Sequence, residues 1–347
     1  MTGATLDLGP SARAARRSLG GEHAGETGIA LPPFIDHHVH LMLVPRSSLR
    51  DSALAGVVDL GAPLPLVGAE LRRDGMPRLD VAGNFLTARG GYPMGRAWAA
   101  PGCARELDPE PADGRAWLPG AAETAVREQH SFGASVIKVA LNRVAGPVLD
   151  RPTLDAVVGT AHDLGLPVVA HVEGDDMTRL AVDAGVDVLA HTPFTEIVDD
   201  GLIARAVAAG QRWISTLFVA GYGEATPDAV RAADNLGRFH RAGGRVLYGT
   251  DLGNGEQPAG LNPAELALLL GAGLAASDVI DALADPWPRA EQPQGVATFI
   301  AGEPPADADR LPDWLASARV VPAEDLEYLA APPPLDDPSR TDRLETL

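Results

Sequence analysis

Cysteine is almost absent from the sequence. Cys103 is the only one in 347 residues, so no internal disulfide can form. Basic residues are also in short supply, with 28 Lys plus Arg against 47 Asp plus Glu and a formal net charge of −19. Phosphate backbones and anionic bilayers are repelled by such a chain on average, which argues against nucleic acid as a partner. Long apolar runs are missing too: Gly, Pro or a charge interrupts each candidate within about ten positions, short of the ~20 that a membrane helix needs. Residues 1–30 lack the apolar stretch of a secretory signal. These absences together predict a cytoplasmic protein without a membrane span, acting on a small molecule, with homo-oligomerisation left open.

The chain is 46% apolar and 22% charged, enough to bury a large core. Its length suits two domains, or one α/β barrel of roughly 250 residues with extensions. Residues 1–30 are rich in Gly, Ala and Arg without periodicity, and the stretches 284–310 and 321–347 are dense in Pro, Asp and Glu. The reading is therefore an N-terminal extension over 1–30, a barrel domain over 31–284 and an acidic, Pro-rich extension over 285–347.

Within the barrel region one pattern recurs: an amphipathic helix, a glycine, a short β-branched run, then a polar residue. From Thr153, the residues Leu154, Val157, Val158, Ala161 and Leu164 share a helical face; Gly165 stops the helix, and a strand at 167–170 leads to His171. Further units run 177–184, Gly185 and 186–190 to His191, then 202–209, Gly210 and 213–216. The longest runs 228–242, Gly243–Gly244 and 246–249 to Asp251. Upstream, 121–131, Gly133 and 136–140 carry Lys138. With candidate strands at 34–40, 56–60 and 79–85, eight strands alternate with helices, which predicts a (β/α)8 TIM barrel; an open doubly wound sheet is the alternative. Asn262 is a predicted N-cap, followed by Pro263 and, three residues after the cap, Glu265.

Active sites of such barrels form where strands end, so polar residues closing apolar runs are the ones to inspect. Asp36, His38 and His40 alternate and share one strand face, with His37 and Val39 on the other. His171, His191 and Asp251 close later strands. Four imidazoles and a carboxylate at one barrel mouth form a nitrogen and oxygen donor set for a borderline divalent metal, zinc first. Lys138 is the odd member, because an ammonium near cations is repelled and desolvated. It must become either a neutral amine or, by reaction with carbon dioxide, a carbamate.

The ordered set His-x-His, Lys, His, His, Asp resembles the amidohydrolase superfamily. FIDHHVHL at 34–41, VVDLG at 57–61, AGNFLTARGGYP at 82–93, ASVIKV at 134–139, VVAHVEG at 168–174, DVLAHTP at 187–193, ISTL at 214–217 and YGTDLG at 248–253 look like its imidazolonepropionase-related and prolidase-like members. The resemblance covers roughly residues 30–284. It implies two divalent metal ions: His38 and His40 on the more buried one, His171 and His191 on the more exposed one, and Lys138, as carbamate, bridging them. Asp251 would bind the buried metal and handle protons as the catalytic residue. A metal-bridging hydroxide would then cleave a C–N bond in an amide, lactam, N-acyl amino acid or dipeptide. Carbamate, Asp251 and hydroxide offset all but about one positive charge of the two ions, so an anionic substrate is compatible. Relatives often add a small β-sandwich built from both chain ends; with no such strands evident here, the sandwich is expected to be reduced or absent.

The same centre would also serve ring closure, deamination or ester and lactone hydrolysis, although Lys138 argues against a mononuclear deaminase. A barrel that keeps its metals as structural ties and only binds a ligand is the non-enzymatic alternative. His130, His162 and His240 precede helix-stopping glycines and read as structural, His23 and His37 as bystanders, and Cys103 as an inert loop thiol. The stretch 87–119, with Arg89, Tyr92, Trp98 and Trp117, suits a pocket wall. There Arg89 and Arg143 are candidates to clamp a substrate carboxylate, and Tyr92 to donate to a carbonyl.

Overall fold

Four of the described α-helices start on side-chain caps, and glycines mark several of the turns from helix to strand. The computed structural model describes residues 6–18, 20, 22–75, 77–109 and 120–329. Asp150, Asp199, Thr226 and Asn262 each accept a bond from a backbone N–H in the first turn of the helices Arg151–Asp163, Asp200–Ala208, Pro227–Arg241 and Pro263–Gly271. The helix Met177–Ala184 ends on Gly185 at φ 79°, a conformation that spares glycine the Cβ clash. The faces predicted to be apolar are buried: Leu154, Val157, Val158 and Ala161 all lie in the main core. Each such side chain contributes about 1.5–3 kcal/mol for the larger residues and less for alanine.

Glu265 does not cap its own helix. It is buried and accepts bonds from the N–H groups of Leu217 (2.9 Å) and Phe218 (2.6 Å), fixing the turn after a neighbouring strand. Burial raises its pKa to about 7 against those hydrogen bonds.

The parallel strands form two groups. One holds Ile35–Val39, Gly56–Asp59 and Arg78–Val81. The other runs in spatial order Arg245–Leu247, Arg212–Ile214, Val188–Leu189, Val168–Glu173, Ile137–Asn142, Phe85–Ala88 and Ala104–Leu107. Backbone bonds join the groups at both ends. His37 N–H donates to Tyr248 O (3.0 Å) and His40 N–H to Leu252 O (2.8 Å), while Ser135 N–H donates to Val81 O (2.9 Å). A separate apolar cluster draws Ile35, Val58, Val169, Val188, Ile214 and Leu247 together from six of these strands, along with Trp287 from the C-terminal region.

Two expectations need correction. The run 79–85 is not one strand: the chain turns at Gly83 (φ 84°), ending one strand at Val81 and starting another at Phe85. The new strand pairs with Ile137–Asn142 on one side and with Ala104–Leu107, inside the supposed loop, on the other. The chain ends also carry strands. Arg13–Arg17, Thr27–Leu31, Val296–Ala301, Arg319–Pro322 and Leu326–Tyr328 build a five-stranded antiparallel sheet. Its buried face is small, comprising Ala15, Ala30, Ala297, Phe299, Val321 and Leu326. A strand such as RAARR contributes a single inward alanine, leaving almost no alternation to detect. Trp117 and residues 330–347 lie outside the described residues.

Trp213 and Phe239, both fully buried, stack with ring centroids 4.0 Å apart and 3° between planes, clamping the longest helix to its strand. Phe239→Ala is expected to cost about 3–5 kcal/mol, the usual penalty for emptying a buried aromatic site, measured as a lower urea midpoint with an unchanged slope.

Candidate metal centre

Strand alternation decides which histidines meet. On Ile35–Val39 and the residue that follows, His38 and His40 face one cavity of about 380 Å³, together with Lys138, His171, His191 and Asp251. All six side chains nominated as metal ligands therefore line a single space. His37 points the other way, its Nδ1 2.8 Å from Tyr248 O and its Nε2 3.0 Å from Asp285 O, beside Trp287. Asp36 shares the ligand face, but its carboxylate is already engaged: it accepts from His38 N–H (3.0 Å), Thr250 N–H (3.1 Å) and Thr250 Oγ1 (2.6 Å). Burial raises its pKa to about 7 against those bonds. Its place is to tie the first parallel strand to the last.

The innermost group is short of protons. His38 Nδ1 lies 2.8 Å from Ala190 O, and His40 Nδ1 lies 3.2 Å from Gly61 O. A carbonyl only accepts, so each ring holds a proton on Nδ1, and in the neutral form that binds a metal Nε2 is left with a bare lone pair. Those two Nε2 atoms are 3.3 Å apart, and each is 3.2 Å from Asp251 Oδ1. Three lone pairs turned on one another repel unless a cation lies among them, and the three residues form a cluster able to hold one. Burial holds the His38 and His191 pKa values well below the ordinary imidazole range, the neutral form a metal requires. For Asp251 burial acts in the opposite sense, yet His38, His40 and His191 together keep its pKa well below the usual carboxylate range.

The second half of the cavity is built similarly. His191 Nδ1 is 3.0 Å from Thr216 Oγ1, and His171 Nε2 is 3.3 Å from Glu173 Oε2, with Asn142 bonded to the same carboxylate. The rings of His38 and His191 are 4.7 Å apart, those of His171 and His191 4.9 Å. Lys138 lines the same cavity, 1% exposed, its Nζ without a hydrogen-bond partner among the described residues. Burial lowers its pKa to about 7, opposed by Asp251 and Asp59. The sequence holds a direct signal for this residue: Lys138 is the only lysine in the chain, the rest of its 28 Lys plus Arg being arginine.

Tyr92 lines the cavity and stacks on His171 at 4.8 Å. Neither Arg89 nor Arg143 reaches the cavity wall. Arg89 is exposed and paired with Asp108 at 2.6 Å, and Arg143 donates to Asp175 O at 3.1 Å. The guanidinium that does line the cavity is Arg96, 5.7 Å above the Tyr92 ring, accompanied by Trp98 and Phe85. Pattern reading missed Arg96 because it sits in an irregular segment with no periodicity to orient it. Asn142, Glu173 and Asn254 were missed as well, although Glu173 follows His171 at the two-residue spacing that shares a strand face. His162 and His240 pair with Asp187 and Asp278 away from the cavity, and Cys103 is a buried thiol.

No family model matches the chain. Uncharacterized proteins of Mycobacterium bovis and Mycobacterium tuberculosis are 29% identical over 217 residues, 57% of this chain and 53% of theirs. The chain thus spans about half the length of the curated relatives it matches. Among solved structures, a Xaa-Pro dipeptidase with methionine bound in its active site is 20% identical with a TM-score of 0.65 over 86% of both chains. An amidohydrolase aligns over 90% of both chains at 21% identity and a TM-score of 0.63. Aspergillus niger ochratoxinase reaches a TM-score of 0.63 at 18% identity, over 83% of this chain and 81% of its own. The chain has the amidohydrolase fold. Of the cavity-lining residues, His38, His40, His191 and Asp251 stand at or just beyond the ends of parallel strands.

Neighbouring residues on one strand should separate cleanly on substitution. His37→Ala is expected to cost roughly 1–3 kcal/mol by removing the ring N–H from the carbonyls of Tyr248 and Asp285 and to leave metal uptake unchanged. His38→Ala is expected to abolish tight metal binding at the innermost group with a smaller loss of stability. Denaturation curves and metal analysis of the same two preparations make the comparison.

Proposed function

We propose that the chain is a metal-dependent hydrolase that cleaves a C–N bond in an amide, N-acyl amino acid or dipeptide. The observation that carries this reading is the trio of facing lone pairs on His38, His40 and Asp251 in one cavity with a buried Lys138 that has no hydrogen-bond partner among the described residues. Eight of the ten described parallel strands, all but Phe85–Ala88 and Ala104–Leu107, are read as a closed barrel, supported by the bonds from His37, His40 and Ser135 between the two groups and by the shared interior cluster.

In this reading His38, His40 and Asp251 would hold one divalent cation and His171 and His191 a second, with zinc the first choice for such donors. Lys138, as a carbamate, would be the shared anionic ligand; its position among these groups and its lowered pKa favour the free amine that carbon dioxide attacks. When bound, the cations supply Lewis acidity, acidifying a shared water and polarising the scissile carbonyl. Asp251 accepts the proton that the attacking water gives up and returns it to the departing nitrogen, so that amide plus water becomes acid plus amine. Thr216 and Glu173 orient the imidazoles of His191 and His171. Tyr92, Trp98 and Phe85 form an aromatic wall that excludes water, and Arg96 is placed to take a substrate carboxylate, the role the sequence had offered to Arg89 and Arg143. The solved neighbours that bind methionine or an N-methylphosphonate-L-proline carry ligands of that kind.

The reading is tested by metal analysis and turnover on N-acyl amino acids and dipeptides. About two transition-metal ions per chain and chelator-sensitive hydrolysis are expected; fewer than about one tightly held ion, with turnover indifferent to His38→Ala, would overturn it. Because only one lysine exists, protein loaded under labelled carbon dioxide should show a single side-chain carbamate carbon by NMR, absent in Lys138→Ala. Arg96→Ala is expected to raise KM about tenfold for carboxylate-bearing substrates and to leave the corresponding carboxamides unaffected.

A further inference from the structure

The two oxygens of Asp251 face different partners. Oδ1 is the atom 3.2 Å from both His38 and His40, whereas Oδ2 accepts a hydrogen bond from Asn254 Nδ2 at 2.9 Å. The amide oxygen of Asn254 accepts in turn from the Tyr222 hydroxyl at 2.7 Å. Because an ionised carboxylate only accepts, the Asn254 nitrogen must face Asp251 and its oxygen must face Tyr222, which leaves no ambiguity in the amide orientation.

The loop that carries these groups is pinned on its other side. Gln257 Nε2 donates to Thr250 O (3.0 Å), Asp251 O (3.3 Å) and Asn254 O (3.1 Å), and Gln257 Oε1 accepts from Asn262 (3.2 Å). Asp251 and Tyr222 both adopt left-handed backbone conformations, at φ 56° and 50°, which a non-glycine residue keeps only where its surroundings enforce it. Gly255, at φ 76°, lies under the Tyr222 ring, and a methyl group there would run into that ring. Tyr222 belongs to the turn whose first N–H groups are gripped by Glu265. Two loops from adjacent strands therefore lock together over one carboxylate oxygen, and Asn254 and Gly255 line the cavity itself.

We propose that Asn254, oriented by Tyr222, is a positioning residue that sets Asp251 Oδ2 for transfer of a proton to the leaving nitrogen. This rests on the hydrolase reading above. In the step it serves, the water oxygen bonds to the carbonyl carbon and its proton passes to Asp251. The C–N bond then breaks with its electron pair on nitrogen, and the nitrogen takes the proton. Asn254 occupies one lone pair of Oδ2 and leaves another for that transfer, while Oδ1 stays with the histidines.

The test compares leaving groups in metal-loaded protein. An amine departs only when protonated, whereas 4-nitrophenolate departs without a proton. Asn254→Ala is expected to lower kcat on an N-acyl amino acid about tenfold or more, with KM within about twofold. Turnover of 4-nitrophenyl acetate should fall by less than about threefold, and metal content should be unchanged. Tyr222→Phe should lower amide kcat a few-fold, Gly255→Ala should imitate it, and neither should add to the loss in Asn254→Ala. The proposal is overturned if amide kcat survives Asn254→Ala, if amide and ester turnover fall together, if metal is lost in step with activity, or if the Tyr222 and Asn254 losses multiply. Where the ester is not turned over, the split between kcat and KM on the amide decides. Failure of the underlying hydrolase reading shows separately, as absence of metal-dependent amide turnover in the unsubstituted protein.

Discussion

Three electron pairs that repel one another are the constraint around which this fold is arranged. His38 Nε2, His40 Nε2 and Asp251 Oδ1 lie 3.2–3.3 Å apart. They are held there because each ring spends its other nitrogen on a backbone carbonyl of a different strand or loop. Bringing such donors out of water and aiming them at each other is unfavourable until a cation is supplied. The surrounding structure carries that cost: the first strand is tied to the last through Asp36 and Thr250, and the interior beneath is filled with aliphatic side chains and Trp287. A cation bound among these three donors would therefore be linked to folding, since it would offset the cost of holding them together.

The parts of the fold that were legible in the sequence are those written as repeated local signals. The units ending at Gly165, Gly185, Gly210 and Gly243 combine a helix, a stop and a short strand; all four helices are present, and the one with a named apolar face, from Thr153, buries Leu154, Val157, Val158 and Ala161. The polar residues closing the strands could be read because strand alternation assigns side chains to faces without tertiary information. That logic separated His38 and His40 from His37.

What could not be read depends on long-range pairing or on irregular backbone. The terminal sheet unites strands from opposite ends of the chain, each giving one or two residues to its apolar cluster, so no single segment displays a pattern. The split near Gly83 inserts two strands where a single run seemed to continue. Arg89 and Arg96 are seven residues apart in the same irregular segment, and only the tertiary path decides that one meets Asp108 while the other meets the cavity. Glu265 satisfied the spacing of a helix cap but served a turn on a neighbouring strand, since a buried carboxylate is drawn to whichever N–H groups are otherwise unpaired.

The terminal sheet also bears on how the molecule is made. Its edge pairing joins Arg13–Arg17 to Leu326–Tyr328, and Thr27–Leu31 waits for Val296–Ala301. During synthesis the first two strands therefore emerge long before their partners, and the hairpin they form keeps unpaired edges exposed while nearly three hundred further residues are translated. The alternating α/β units are each complete within a short stretch of chain, whereas the terminal sheet is completed only when Val296–Ala301, Arg319–Pro322 and Leu326–Tyr328 have joined it. Arginines at 13, 16 and 17 give the waiting hairpin a charged border that discourages it from pairing with other nascent chains.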